Sequence, residues 1–129
     1  AGQKTMSVLI VDDNDMTREV LRVILRHEGY IVVGEATDGD SGVEMALRLQ
    51  PNIILLDVVM PTVSGLDVLK KIKEALPKTI ILMVTSSKDR DTITTALQSG
   101  VSGYIIKPFN AGTVMDALQL AIAKAEKQA

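Results

Sequence analysis

Residues 53–57 read Ile-Ile-Leu-Leu-Asp. Four apolar side chains stand in a row with no polar alternation, and a carboxylate follows them directly. A strand with one face in water alternates; a strand covered on both faces does not, which is the habit of central strands in parallel sheets. Ile80, Ile81, Leu82, Met83 and Val84 have the same character and are followed by Thr85-Ser86. Outward from these two, further apolar runs lie at 6–11, 30–33 and 104–106. The five recur at intervals of roughly 25 residues, which is room for one strand and one helix each. The run at 30–33 drifts into Gly34, Glu35 and Ala36, as an edge strand would.

The intervening segments carry helical spacing. Met16, Val20, Leu21, Ile24 and Leu25 are read as one face, closed by Gly29. Val43, Ala46 and Leu47 form a second stripe before Pro51, and Leu66, Leu69, Ile72 and Leu76 a third before Pro77. Ile93, Ala96 and Leu97 make a thin fourth stripe stopped by Gly100. Val114, Leu118, Ala121, Ile122 and Ala125 make the fifth, with Asn110 placed to cap it. Strand and helix in strict alternation predict an α/β fold: a five-stranded parallel sheet with helices on both faces. Right-handed crossovers then leave few topologies, of which the flavodoxin-like strand order 2-1-3-4-5 is the one expected.

The composition narrows function by exclusion. The 129 residues suit one domain. Fourteen Lys+Arg against sixteen Asp+Glu give a formal net charge of −2, without the basic excess of a nucleic-acid or membrane-surface protein. No cysteine is present, which removes disulfides and thiolate chemistry. The three aromatics, Tyr30, Tyr104 and Phe109, are too few for a base- or flavin-stacking site. The apolar runs fall far short of the about 20 residues a spanning helix needs, and the opening Ala-Gly-Gln-Lys-Thr does not read as a signal peptide. The expected compartment is the cytoplasm, with no membrane partner and no nucleic acid bound by this domain.

In a sheet of this order, ligands bind beyond the carboxyl ends of the strands. Strand 1 runs into Asp12-Asp13, strand 3 into Asp57, strand 4 into Thr85, and strand 5 is followed by Lys107-Pro108. Asp12 and Asp13 could serve as helix N-caps, although Asn14 and Asp15 stand nearer the helical pattern. Asp57 lies too far ahead of the next helical stripe to cap it. Taken singly, Thr85 reads as a strand threonine and Lys107 as a surface lysine; their convergence on one rim is the signal. Three carboxylates gathered together repel one another, and a hard divalent cation with oxygen ligands relieves that. Three ionised aspartates with one lysine leave a rim charge that a single Mg²⁺ cancels. An anionic phosphoryl donor could approach a carboxylate nucleophile there, with Lys107 and Thr85 on its oxygens.

Asp12-Asp13, Leu56-Asp57 followed by Met60-Pro61 and Gly65, Thr85, and Lys107-Pro108-Phe109 together resemble the response-regulator receiver domain of two-component signalling, over roughly residues 5–127. The resemblance implies one receiver domain over 1–129, with no effector domain beside it. It implies that Asp57 accepts a phosphoryl group from a histidine kinase or phosphotransfer protein. It also implies that Asp13, Asp57 and the main-chain carbonyl of Val59 contact Mg²⁺, with Asp12 acting directly or through water. Thr85 and Lys107 would hold the phosphoryl oxygens, Tyr104 would swing inward as Thr85 moves, and the Lys107-Pro108 bond would be cis. The domain would be a switch with only limited self-phosphotransfer and autodephosphorylation, not an enzyme. An as yet unidentified output protein would read a surface of helix 4, strand 5 and helix 5, and the thin fourth stripe suits an element that shifts easily.

Val59 and Ser87, two residues beyond Asp57 and Thr85, offer no carboxylate or amide to orient a hydrolytic water. Slow intrinsic dephosphorylation is therefore expected. The alternatives are an Mg²⁺-dependent phosphohydrolase with an aspartyl nucleophile and an interaction module independent of phosphorylation. The hydrolase of haloacid dehalogenase type wants a second Asp where Val59 stands. His27 and the methionines are read as ordinary helix-end and core residues.

Overall fold

The computed structural model describes residues 6–58, 65–86 and 90–128. Strand and helix alternate throughout: β1 (Ser7–Val11), α1 (Asp15–His27), β2 (Ile31–Ala36), α2 (Gly39–Leu49), β3 (Ile53–Asp57), α3 (Gly65–Ala75), β4 (Ile80–Thr85), α4 (Arg90–Gln98), β5 (Gly103–Ile106) and α5 (Ala111–Gln128). All four strand pairings are parallel, in the order β2-β1-β3-β4-β5. The predicted fold class and strand order are both borne out.

The unbroken apolar runs explain themselves in the packing. Val8, Ile10, Ile53, Leu55, Leu82 and Val84 face one layer, where Leu21 and Leu25 of α1 meet Val114, Leu118 and Ile122 of α5. Leu9, Val11, Ile54, Leu56, Ile81 and Met83 face the other, against Ala46 of α2, Val68, Leu69 and Ile72 of α3, and Ala96 of α4. Alternate residues of the same strand thus enter opposite cores, so neither face tolerates a polar residue. Each fully buried Leu or Ile contributes on the order of 2 kcal/mol by leaving water.

Three predicted apolar faces need correction. On α1, Met16 and Val20 are 65% and 38% exposed, and the core is filled by Leu21 and Leu25 with Ile24 beside them. At about 100° per residue Met16 and Leu21 stand on opposite sides of the helix, so the face drawn from sequence joined two separate rows. Leu47 of α2 and Leu97 of α4 are likewise exposed, while Ala46 and Ala96 beside them are buried. A small side chain lets each helix approach the sheet closely and turns its larger neighbour outward.

The helix ends bear directly on the site. Asn14, and not Asp12 or Asp13, caps α1, its side chain accepting from the Thr17 N–H at 2.9 Å. Both aspartates are therefore left over from helix capping. Asp38 caps α2 and Asn110 caps α5 in the same manner. Gly100, at φ 103°, follows α4 in a conformation that a β-carbon disfavours. Edge strand β2 carries a register shift opposite Val8 and Leu9, and its Ile31 and Val33 are exposed.

Candidate functional site

Register alone assembles the rim. Val11 pairs with Leu56, so Asp12 and Asp57 lie abreast one residue further along. Asp57 pairs with Val84, and Thr85 pairs with Ile106, so Thr85 stands one residue and Lys107 two residues beyond the level of Asp57 at the same end of the sheet. The ladder continues past the strand ends: the Asp12 N–H donates to Ala36 O at 3.0 Å, and the Lys107 N–H donates to Thr85 O at 2.8 Å.

Asp12, Asp57 and Thr85 are buried, Asp13 is exposed, and the Lys107 side chain is 24% exposed. Carboxylate oxygens from Asp12, Asp13 and Asp57 lie within 4.8 Å of one another. Lys107 Nζ stands 3.2 Å from Asp12 Oδ2 and 3.8 Å from Asp57 Oδ2. At a separation of ~5 Å and an effective dielectric of ~20, a like-charged pair costs about 3 kcal/mol. One ammonium does not offset three carboxylates at this range. The donor set is therefore hard, oxygen-only and over-charged, which fits Mg²⁺.

Behind Asp57 the backbone is tightly backed. The Gly65 N–H donates to Val58 O at 3.2 Å. A β-carbon on Gly65 would lie 2.2 Å from Val58 Cα and 2.7 Å from Asp57 O. Only glycine lets α3 begin flush against the strand end that carries Asp57.

The sequence-predicted residues Asp12, Asp13, Asp57, Thr85 and Lys107 are thus brought together. Tyr104 is not among them. It sits on β5, 43% exposed, lining a surface cavity of about 420 Å³ with Ser102, Thr113, Asp116 and Leu120. The Lys107-Pro108 bond is cis. Val59, Met60, Pro61 and Ser87 lie outside the described residues. Sequence reasoning missed Arg18 and Glu35. Arg18 Nη1 donates to the Asp12 carbonyl at 2.7 Å, and Glu35 on β2 pairs with both Arg18 and Arg22. The available signal was an arginine one helical turn past Asp15 facing an acidic residue on the neighbouring edge strand.

A family model described as the response regulator receiver domain matches residues 8–119. The chain belongs to that family. Chemotaxis protein CheY of Thermotoga maritima is 36% identical over 111 residues, which cover 86% of this chain and 92% of that protein. Protein CcdB of Bacillus subtilis is 33% identical over 111 residues, with the same coverage. The transcriptional regulatory protein PdtaR of Mycobacterium tuberculosis is 36% identical over 119 residues, but the match spans only 57% of its length. Among solved structures, a CheY-like receiver domain protein from Methanospirillum hungatei superposes with a TM-score of 0.89 at 26% identity, covering 97% of this chain and 99% of the other. A structure described as the CheX-CheY-BeF3-Mg+2 complex of Borrelia burgdorferi gives 0.88 at 26% identity, covering 91% of this chain and 89% of its own.

Receiver domains are generally phosphoacceptor switches of two-component systems, not true enzymes, and they bind Mg²⁺ at an acidic site. They work with histidine kinases, phosphotransfer proteins and output partners. Asp12, Asp13 and Asp57 form such an acidic cluster in this receiver. Among the described residues no helix is long and apolar enough to cross a membrane.

Proposed function

We propose that this receiver is a phosphorylation-activated switch, in the cytoplasm, that takes a phosphoryl group on Asp57 from a histidine kinase or phosphotransfer protein. The observation that carries the reading is the placement of Asp57: a buried carboxylate ending β3, within 4.8 Å of the Asp12 and Asp13 carboxylates and 3.8 Å from Lys107 Nζ. A carboxylate oxygen of Asp57 attacks phosphorus in line with the donor's P–N bond. The P–O bond forms as the P–N bond breaks, and the departing imidazole keeps the electron pair. The product is an acyl phosphate on Asp57 and a neutral histidine once that nitrogen is protonated.

Asp12, Asp13, Asp57 and the Val59 carbonyl would hold Mg²⁺, Asp12 directly or through water. The ion supplies charge neutralisation on the donor and the transferring group. Lys107 offsets the remaining charge from the β5 side. Thr85, buried at the end of β4, would take one phosphoryl oxygen. Movement of Thr85 would open space that Tyr104 can enter, carrying the event to the surface of α4, β5 and α5. The thin anchoring of α4 supports a shift there: among its described residues Ala96 is buried, Ile93 is only partly so, and Leu97 is exposed. The domain acts as one unit over 1–129, and its output is a conformational state read by a partner protein.

Backbone amide NMR tests the switch. With Mg²⁺ and a small phosphodonor, resonances of α4, β5 and α5 should shift along with those around Asp57. Shifts confined to the rim residues would contradict a switch, and unaltered spectra with several donors would favour an interaction module independent of phosphorylation.

A further inference from the structure

The Asp12–Asp13 turn carries two of the three clustered carboxylates on adjacent residues, joined by one peptide unit. That unit is planar, so fixing its carbonyl fixes the orientation of the whole link between them. The carbonyl is fixed by Arg18, whose Nη1 donates to Asp12 O at 2.7 Å. The Arg18 side chain is only 11% exposed, and its guanidinium is held on its other edges. Nη2 meets Asp15, one turn back on α1, and Nε stands 3.6 Å from Glu35 Oε1 on β2. Glu35 is itself anchored by Arg22 Nη1 at 2.7 Å. The rest of Asp12 is equally committed. Its N–H donates to Ala36, its Oδ1 accepts from the Asn14 N–H at 2.9 Å, and its Oδ2 accepts from Lys107.

This wiring opposes a specific force. Adjacent ionised aspartates that must both face Asp57 repel, and a free turn would rotate its peptide to spread them. A charged donor on the carbonyl resists that rotation, and a planar guanidinium can hold one carbonyl and two carboxylates from a rigid fork, which an ammonium cannot. We infer that Arg18, braced by Glu35, is a positioning residue that presets the Asp12–Asp13 peptide for binding the divalent cation. It touches neither the ion nor the phosphoryl group. The inference rests on the reading of the acidic rim as an Mg²⁺ site.

Arg22 supplies the control, because it shares Glu35 with Arg18 but makes no contact with Asp12 among its hydrogen bonds and ion pairs here. Arg18→Gln and Arg22→Gln each remove one arm of the α1–β2 network. Mg²⁺ affinity is read by calorimetric titration, stability by urea unfolding in chelator, and the metal-free amide resonances of Asp12, Asp13 and Asn14 by NMR. Arg18→Gln should weaken Mg²⁺ binding about tenfold and shift those three resonances before any metal is added. Arg22→Gln should lose stability while keeping the wild-type Mg²⁺ affinity. Arg18→Lys retains the charge but not the fork, and carries the same comparison if Arg18→Gln does not fold. Equal Mg²⁺ losses in the Arg18 and Arg22 variants, or an unaltered affinity in the Arg18 variants, would overturn the inference. A wild-type protein that binds no Mg²⁺ would overturn the reading of the rim itself.

Discussion

Lys107 Nζ donates to Asp12 Oδ2 at 3.2 Å, joining residues 95 positions apart in sequence across the carboxyl edge of the sheet. The contact ties β5 to β1 over the top of β3 and β4, and it brings the ammonium to 3.8 Å from Asp57. The rim is nevertheless left with excess negative charge, and that imbalance sets its expected response to metal.

Removing one charge from the cluster should stabilise the protein without metal and spoil its response to metal. In chelator, Asp13→Asn is expected to melt about 3 °C above wild type, through relief of like-charge repulsion. Saturating Mg²⁺ should stabilise wild type by about 3 kcal/mol at a hundredfold excess over its dissociation constant, and the variant by far less. Thermal melts with and without Mg²⁺ measure both.

Gly65→Ala should fail for a geometric reason. The new methyl would sit 2.2 Å from Val58 Cα, a backbone atom that cannot swing aside. A loss of about 3 kcal/mol in urea unfolding is expected, at the upper end of overpacking costs. Because the displaced backbone adjoins Asp57, Mg²⁺ affinity should fall with it.

The cap of α2 has a pH signature. Donation from the Ser41 N–H, and then from its hydroxyl, holds the Asp38 carboxyl below its ordinary value of 3.8. A group ionised more readily when folded stabilises fully above its unfolded pKa, and that contribution drains away as pH falls through the lower folded value. Asp38→Ala should therefore melt a few degrees below wild type at neutral pH. The gap should narrow in acid melts taken well below pH 3.8.

The acyl phosphate should be long-lived. Neither Val59 nor Ser87 bears a carboxylate or amide to align a hydrolytic water. A lifetime of minutes or longer is expected by phosphate-release assay with no phosphatase added, and a half-life of seconds would contradict it.

The architecture was legible because burial on both faces writes itself into sequence as unbroken apolar runs. Residues 53–56 and 80–84 announced central strands, and the carboxylate after the first and the hydroxyl after the second marked one rim. The helix faces were less legible. Met16 and Val20 share an apolar row with Val23, all three exposed, and hydrophobicity alone does not say which of two rows meets the sheet. Arg18 escaped notice because its role depends on the main-chain carbonyl of Asp12, which every residue possesses. Only the turn of α1 against β2 aims its guanidinium there.

Intact-protein mass after incubation with a small phosphodonor and Mg²⁺ reads phosphorylation at Asp57 itself. Wild type should gain a single base-labile phosphoryl group, dependent on Mg²⁺, and Asp57→Asn should gain none under the same conditions. Undiminished labelling of folded Asp57→Asn, or turnover of many equivalents of a stable phosphomonoester by the wild-type protein, would rule out a phosphoacceptor switch built on Asp57.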